Sequence, residues 1–282
     1  MEFMLFILLI TQTYIKAYIP SYTSIQKRTF SSLSTSSFHN NDRNRKSQFL
    51  SAASETTRNT DQLNKDNEYS FIRDELRTYA MALHTKDQAP KEGQQPAKKP
   101  VSSWQPGLSD YVQFLTDSLL VYETLEEIVN NYDELSVFRN TGLERAQALR
   151  EDLDYISNTY DPSIQLPETG NAGKEYSLFL KNIVKESIPK FMCHYYNHYF
   201  AHTAGGRMIG KKMSALLLEK QTLKFYQWSG DVKQYLDETK TKIDSMAVGW
   251  NAEERKACVE ETMACFKFGG SLNSYLRDPM LR

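Results

Sequence analysis

Cysteine is scarce in this 282-residue chain. There are three, Cys193, Cys258 and Cys265, and no CxxC pair among them. That argues against a disulfide framework and against a zinc site built from cysteine. A dominant charge is missing too: 34 basic residues face 35 acidic ones, for a net charge of −1. Without an overall basic field, a general nucleic-acid-binding role is excluded. The apolar block Met4–Ile10 falls well short of the roughly 20 residues of a membrane span. No segment alternates apolar and polar residues between turn signals, and no internal repeat occurs, so neither a sheet nor a solenoid is indicated. What the chain does have is 40% hydrophobic and 12% aromatic residues, enough for a packed core in one large domain or two small ones.

Composition changes sharply along the chain. The apolar block suits the hydrophobic region of a secretory signal, although a basic n-region is missing. From Tyr18 to Ser54 follow 13 Ser/Thr residues, five basic residues and a single acid, Asp42, which is transit-peptide composition. Residues 1–17 are expected to form a signal peptide and 18–67 a transit or unstructured leader. The order resembles the two-part leader of plastids gained by secondary endosymbiosis, and the scarcity of cysteine agrees with a reducing destination.

From residue 68 to 282 the pattern is helical. Phe71–Leu83, Tyr111–Val129, Leu143–Asn158, Tyr176–Val184, Ile188–Phe200, Arg207–Leu218, Lys233–Trp250 and Glu253–Phe268 carry apolar residues at three- and four-residue spacing. Ser109 or Asp110 is placed to cap the second of these. Residues 87–100 read as a connector, and Thr159–Gly173, with two prolines and two glycines, as a breaker. The fold class predicted is all-α, in a single domain.

Two local features suggest chemistry. His194, His198 and His202 recur every four residues on one helix face. Such histidines can share a zinc ion in pairs, but the three span about 12 Å, too far for one ion. The alternative is a polar stripe among Tyr195, Tyr196 and Tyr199. Directly after them come Gly205 and Gly206, which cost a helix about 1 kcal/mol each against alanine. They fit either a close helix crossing or a bent helix lying over a planar ligand.

More of the chain bears on the choice. The segments LHTKDQA (83–89), DSLLVYETLE (117–126), FRNTGLERA (138–146), CHYYNHYFAHTAGGRMIG (193–210), FYQW (225–228) and CVEET (258–262) together resemble haem oxygenases of the plant and algal plastid type. The resemblance runs from about Glu75 to Leu276. It implies one all-α domain with haem between a proximal and a kinked distal helix. By the same resemblance His84 is the proximal ligand of the haem iron, and Gln88 can accept a hydrogen bond from its other ring nitrogen. Gly205 and Gly206 match the distal glycines, and His202 stands where other branches of the family carry an aspartate that organises water. Arg77, Tyr196 and Lys242 match the haem propionate edge, and Phe266 packs on the macrocycle; Arg207 receives no role.

The implied activity is cleavage of haem b, at once substrate and cofactor, to biliverdin, carbon monoxide and ferrous iron. Ferredoxin would supply the electrons, with Lys211 and Lys212 as candidates for its docking, and bilin pigment synthesis would use the product. Two other classes remain: a carrier or sensor that binds haem without cleaving it, and a di-iron bundle. The latter needs ExxH motifs, and the sequence has none. Biliverdin formation separates the enzyme from the carrier.

Overall fold

Leu108–Asn131 shows how this sequence builds its scaffold. Tyr111, Leu115, Ser118, Tyr122, Leu125 and Val129 fall three or four residues apart and are buried, as are Val112, Phe114, Val121 and Ile128 beside them. An apolar band this wide can meet neighbours on more than one side, and the helix packs against three others. Each large side chain buried completely here contributes roughly 1.5–3 kcal/mol. The computed structural model describes residues 69–88 and 101–277. Those from Phe71 onward belong to one compact unit. The leader, residues 1–67, lies outside the described residues.

In chain order, a π-helical turn Phe71–Leu76 leads into α1 (Arg77–Gln88), followed by α2 (Leu108–Asn131) and α3 (Ala146–Tyr155). Then come a π-helical stretch at Ile156–Tyr160, α4 (Asn171–Glu186), α5 (Ile188–Ala201), a third π-helical stretch at His202–Gly206, and α6 (Arg207–Leu217). The order ends with α7 (Val232–Ala247), α8 (Ala252–Glu260) and α9 (Thr262–Arg277). No strand occurs among the described residues, so the all-α class stands. The central α2 packs on α3, α4 and α9, and α5 on α4, α8 and α9. None of the described helices is long and apolar enough to cross a membrane.

Three boundaries differ from the sequence expectation. The cap of α2 is Gly107, and Asp110 acts from inside the first turn, its carboxylate accepting the Gly107 N–H at 2.9 Å. The expected helix Glu253–Phe268 is two helices broken at Glu261, whose carboxylate is drawn to His194 at 3.2 Å. The segment read as a breaker up to Gly173 gives way to α4 already at Asn171.

The early start of α4 has one cause. Asp117 of α2, fully buried, accepts the Gly170 N–H at 2.7 Å and the Gly173 N–H at 2.8 Å. It thereby satisfies two donors that a helix N-terminus leaves open. The same carboxylate accepts from Gln113 Nε2 at 2.8 Å and from the Tyr275 hydroxyl at 3.0 Å, joining α2, α4 and α9 at one point.

Candidate functional site

The stripe of histidines does not converge. His194, fully buried, pairs through Nδ1 with the Tyr176 hydroxyl (2.9 Å) and through Nε2 with Glu261 (3.2 Å). His198 packs its ring on Tyr122, with centroids 4.6 Å apart. His202 turns away to the carbonyl oxygen of Phe225, 2.7 Å from Nε2. No group of three His, Cys, Asp or Glu side chains among the described residues could hold a metal ion. Of the two readings of the stripe, the polar one among tyrosines is what the fold uses.

The glycine pair sits where α5 gives way to the π-helical turn His202–Gly206. Side chains on a helix tilt toward its N-terminus, so a Cβ on Gly206 would point back at residue 202. It would lie well under 3.0 Å from His202 Nδ1, closer than real Cβ atoms come. One turn later a Cβ on Gly210 would lie 2.5 Å from the Tyr226 ring. The π turn and bare backbone thus go together: with α-carbons alone on this face, two aromatic side chains can press against the chain from behind.

Of the two, Tyr226 comes from the FYQW segment, whose role is not legible in the sequence, and the other is His202 itself. Phe225 stacks on the His202 ring at 4.0 Å and 22°, and the Tyr226 hydroxyl meets the Tyr111 hydroxyl at 3.1 Å. Asp152 of α3 holds this segment from below, accepting the Lys224 and Phe225 N–H groups at 2.8 and 2.7 Å. Arg145 lies over the Trp228 ring at 4.6 Å and donates to the Gln227 carbonyl. His202 is therefore positioned through Phe225 by Asp152, which sequence reasoning missed. The two residues are 50 positions apart in the chain.

A carbonyl can only accept, so His202 Nε2 carries the proton and Nδ1 is left as a bare acceptor. Burial pushes the His202 imidazole down to about 3, which keeps it neutral; the hydrogen bond to Phe225 works in the other direction. His198 is likewise pushed down to about 3, by burial and then by His194, and its Nε2 is buried with no hydrogen-bond partner. Both rings border an internal cavity of about 50 Å³ that Ser118, Gly206, Gly269 and Asn273 also line. That is room for a few water molecules, in a mostly apolar cavity with a few polar groups on its wall.

These shifts set the response to acid. A histidine that is neutral in the fold until about pH 3 takes up its proton in the unfolded chain near pH 6.5. Each of the two then lowers stability as pH falls from 6.5 toward 3, by up to about 1.4 kcal/mol per pH unit. Asp152 works the other way: burial raises it to about 6, so the folded state binds its proton first and gains stability as pH falls from about 6 to 4. Glu126, also raised by burial, acts in the same direction as Asp152 and against the two histidines. His198→Phe keeps the ring packing on Tyr122 and should remove up to about 1.4 kcal/mol per pH unit from the slope between pH 4 and 6. Urea denaturation at several pH values checks it; an unchanged slope would show that His198 is not buried neutral.

The remaining sequence-predicted positions lie on several helices. Arg77 is exposed on α1 and Tyr196 half-buried on α5; burial raises the Tyr196 phenol to about 12 while the Arg77 charge pulls it back. Lys242 is half-buried on α7, which packs against α5 and the Phe71–Leu76 turn. Phe266 is buried on α9 but stands apart from the main core cluster. His84 and Gln88 lie on α1; their side chains fall outside the described residues. Arg207 and Lys211 are exposed in a groove of about 760 Å³ with Met208 and Lys220, whereas Lys212 is half-buried.

Fold and site together define a class: an all-α domain in which a glycine-bearing π-helical turn borders a small, mostly apolar cavity. The family follows from comparison with known proteins. The Heme oxygenase family matches residues 73–273. "Heme oxygenase 3, chloroplastic" of Arabidopsis thaliana is 44% identical over 204 residues, covering 71% of this chain and 70% of that protein. "Probable inactive heme oxygenase 2, chloroplastic" of Oryza sativa subsp. japonica is 36% identical over 171 residues, covering 60% of this chain and 51% of the other. The crystal structure of heme oxygenase 2 from Chlamydomonas reinhardtii without heme shares the fold, with a TM-score of 0.51 at 18% identity over 61% of this chain and 84% of that one. The chain belongs to the haem oxygenase family, oxidoreductases that cleave haem.

Proposed function

We propose that this protein cleaves haem b to biliverdin, carbon monoxide and ferrous iron, with electrons from ferredoxin. The observation that carries the reading is the π turn at His202–Gly206, where bare backbone adjoins the water-sized cavity. A flat substrate can approach such a surface closely, and the donor set suits it: an imidazole at His84 for iron, with Arg77, Tyr196 and Lys242 for the propionate edge. Phe266 would pack on the macrocycle. Bound haem supplies the iron at which dioxygen is activated. His84 would hold that iron, with Gln88 fixing its tautomer. Gly205 and Gly206 would leave room above it. His202, being neutral and with only Nδ1 free, would orient water as an acceptor, so the proton itself comes through water.

The exposed Arg207, Lys211 and Lys220 offer an acidic ferredoxin a cationic groove, and the half-buried Lys212 is the weaker of the two expected docking lysines. The plastid names of the relatives and the leader composition support a plastid stroma reached through residues 1–17 and then 18–67. Bilin pigment synthesis is the matching use of the product.

His84→Ala tests the reading. Haem added to the full-length variant should lack a histidine-ligated spectrum, and biliverdin formation with reduced ferredoxin should fall at least a hundredfold. Alanine is a good helix former, so the helix should survive. Imidazole in solution should restore part of the ligation. Turnover equal to the parent would overturn the ligand assignment, and a parent that binds haem without yielding biliverdin would favour the carrier.

A further inference from the structure

The three cysteines of the chain, scattered in sequence, meet in space. Cys193 on α5, Cys258 on α8 and Cys265 on α9 are all buried, at 0%, 1% and 3% exposure. Cys265 Sγ lies 3.6 Å from Cys193 Sγ although the two are 72 residues apart. Cys258, buried as well, lies close enough to favour the ionised form of the same Cys193 sulfur. Two further polar groups reach it: Asn197 Nδ2 donates at 3.3 Å, and the Thr262 hydroxyl is 3.5 Å away.

Buried cysteine usually acts as a small apolar residue, and one such residue would need no further account. Here, however, three polar groups, Cys265, Asn197 and Thr262, reach a single sulfur. That arrangement favours its thiolate, the nucleophilic form. Burial opposes ionisation of Cys193, but the neighbouring Cys258, the hydrogen bond from Cys265, the nearby His194 and the Thr262 hydroxyl outweigh it and hold the thiol well below its ordinary range. Cys258 and Cys265 are pushed the other way, first by burial, and so stay protonated. The cluster does not form a metal site, since no three His, Cys, Asp or Glu side chains among the described residues could hold an ion.

We propose that Cys193 and Cys265 are a peroxide-responsive dithiol pair, whose oxidation bridges α5 to α9. The Cys193 thiolate attacks a hydroperoxide oxygen; an S–O bond forms, the O–O bond breaks, and the leaving hydroxide takes a proton to become water. The Cys265 thiol then attacks the sulfenic sulfur. An S–S bond forms, the S–O bond breaks, and hydroxide leaves as water with the Cys265 proton. Two thiols and one hydrogen peroxide give one disulfide and two waters. The sulfurs start in contact and close to about 2.05 Å. Hydrogen peroxide is small enough to enter through local opening, where a protein oxidant is not.

The bridge matters because of what the two helices carry. The stretch of chain led by α5 supplies His198 and His202 to one wall of the 50 Å³ cavity, and α9 supplies Gly269, Leu272 and Asn273 to the other. Oxidation would fix these walls to each other, and a dithiol reductant would release them.

The test uses the full chain, treated with hydrogen peroxide under native conditions and then denatured with the remaining thiols blocked. Thiol titration should fall from three to one, and peptide mapping should show Cys193 joined to Cys265. Cys258→Ser should still bridge, and Cys265→Ser should not. Amide exchange across residues 198–206 should slow at least threefold in the bridged form and recover with dithiothreitol. Three thiols remaining, a bridge to Cys258, or separate overoxidation of Cys193 would each overturn the proposal. Unchanged exchange in a bridged protein would overturn its link to the cavity. None of these readouts depends on haem turnover.

Discussion

Gly206→Ala should lower haem turnover by ten- to a hundredfold, although it adds one methyl group. The new Cβ would lie well under 3.0 Å from His202 Nδ1. His202 cannot simply step aside, because Nε2 is held by the Phe225 carbonyl at 2.7 Å and the ring is stacked on Phe225 at 4.0 Å. Either the hydrogen bond breaks or the π turn moves by a fraction of an ångström to an ångström. Breaking it leaves a buried ring nitrogen and carbonyl unpaired, at about 1–3 kcal/mol. Moving the turn shifts the surface against which haem is proposed to lie, and a shift of about 1 Å can cost a hundredfold in rate. Steady-state turnover together with thermal unfolding measures both. The double variant Gly206→Ala/His202→Ala separates the causes, because the alanine at 206 should cost far less stability once the ring is gone. Equal cost in both backgrounds would show that the ring and the glycine are not in contact.

Asp117→Ala should be the most destabilising single change described for this fold, by about 3–5 kcal/mol. Four donors lose their acceptor at once: the Gly170 and Gly173 N–H groups, Gln113 Nε2 and the Tyr275 hydroxyl. The carboxylate is fully buried, and hydrogen bonds to a charged acceptor contribute about 1.5–3 kcal/mol each, though not additively. Water cannot easily replace it, since the Gly170 and Gly173 backbone packs against it closely. In a domain of this size such a loss lowers Tm by roughly 10 °C or more. Asp117→Asn should recover little, because its NH₂ would face one pair of donors. Thermal unfolding followed by circular dichroism decides it, and a Tm within about 2 °C of the parent would remove Asp117 from its position as the junction of α2, α4 and α9.

The sequence made some of this visible and hid the rest for a physical reason. Helical class and the course of α2 followed from apolar spacing within one turn, and the glycines after His202 marked a local departure from helix preference. The resemblance supplied the family, and it implies the distal role proposed for Gly205 and Gly206. What stayed hidden depends on pairs remote in the chain. Asp152 reaches Phe225 across 73 residues, Asp117 reaches Gly170 across 53, and Cys193 reaches Cys265 across 72. No local pattern encodes such contacts. The partner of Glu261, at the break between α8 and α9, is likewise remote: His194, 67 residues earlier. Even the FYQW segment, a visible motif, shows its use only when Phe225 is found against His202.

The junction at Asp117 also constrains the order in which the chain can fold as it is made. Its last donor, the Tyr275 hydroxyl, comes 158 residues after the carboxylate. At a synthesis rate of about 5–20 residues per second, the ribosome needs roughly 8–30 s to deliver it. During that interval α2 exists with a buried-type carboxylate only partly satisfied and an apolar face awaiting α9. The nascent chain is therefore held back from its final packing until α9 has been made, which leaves it open to chaperones for as long as α9 is missing.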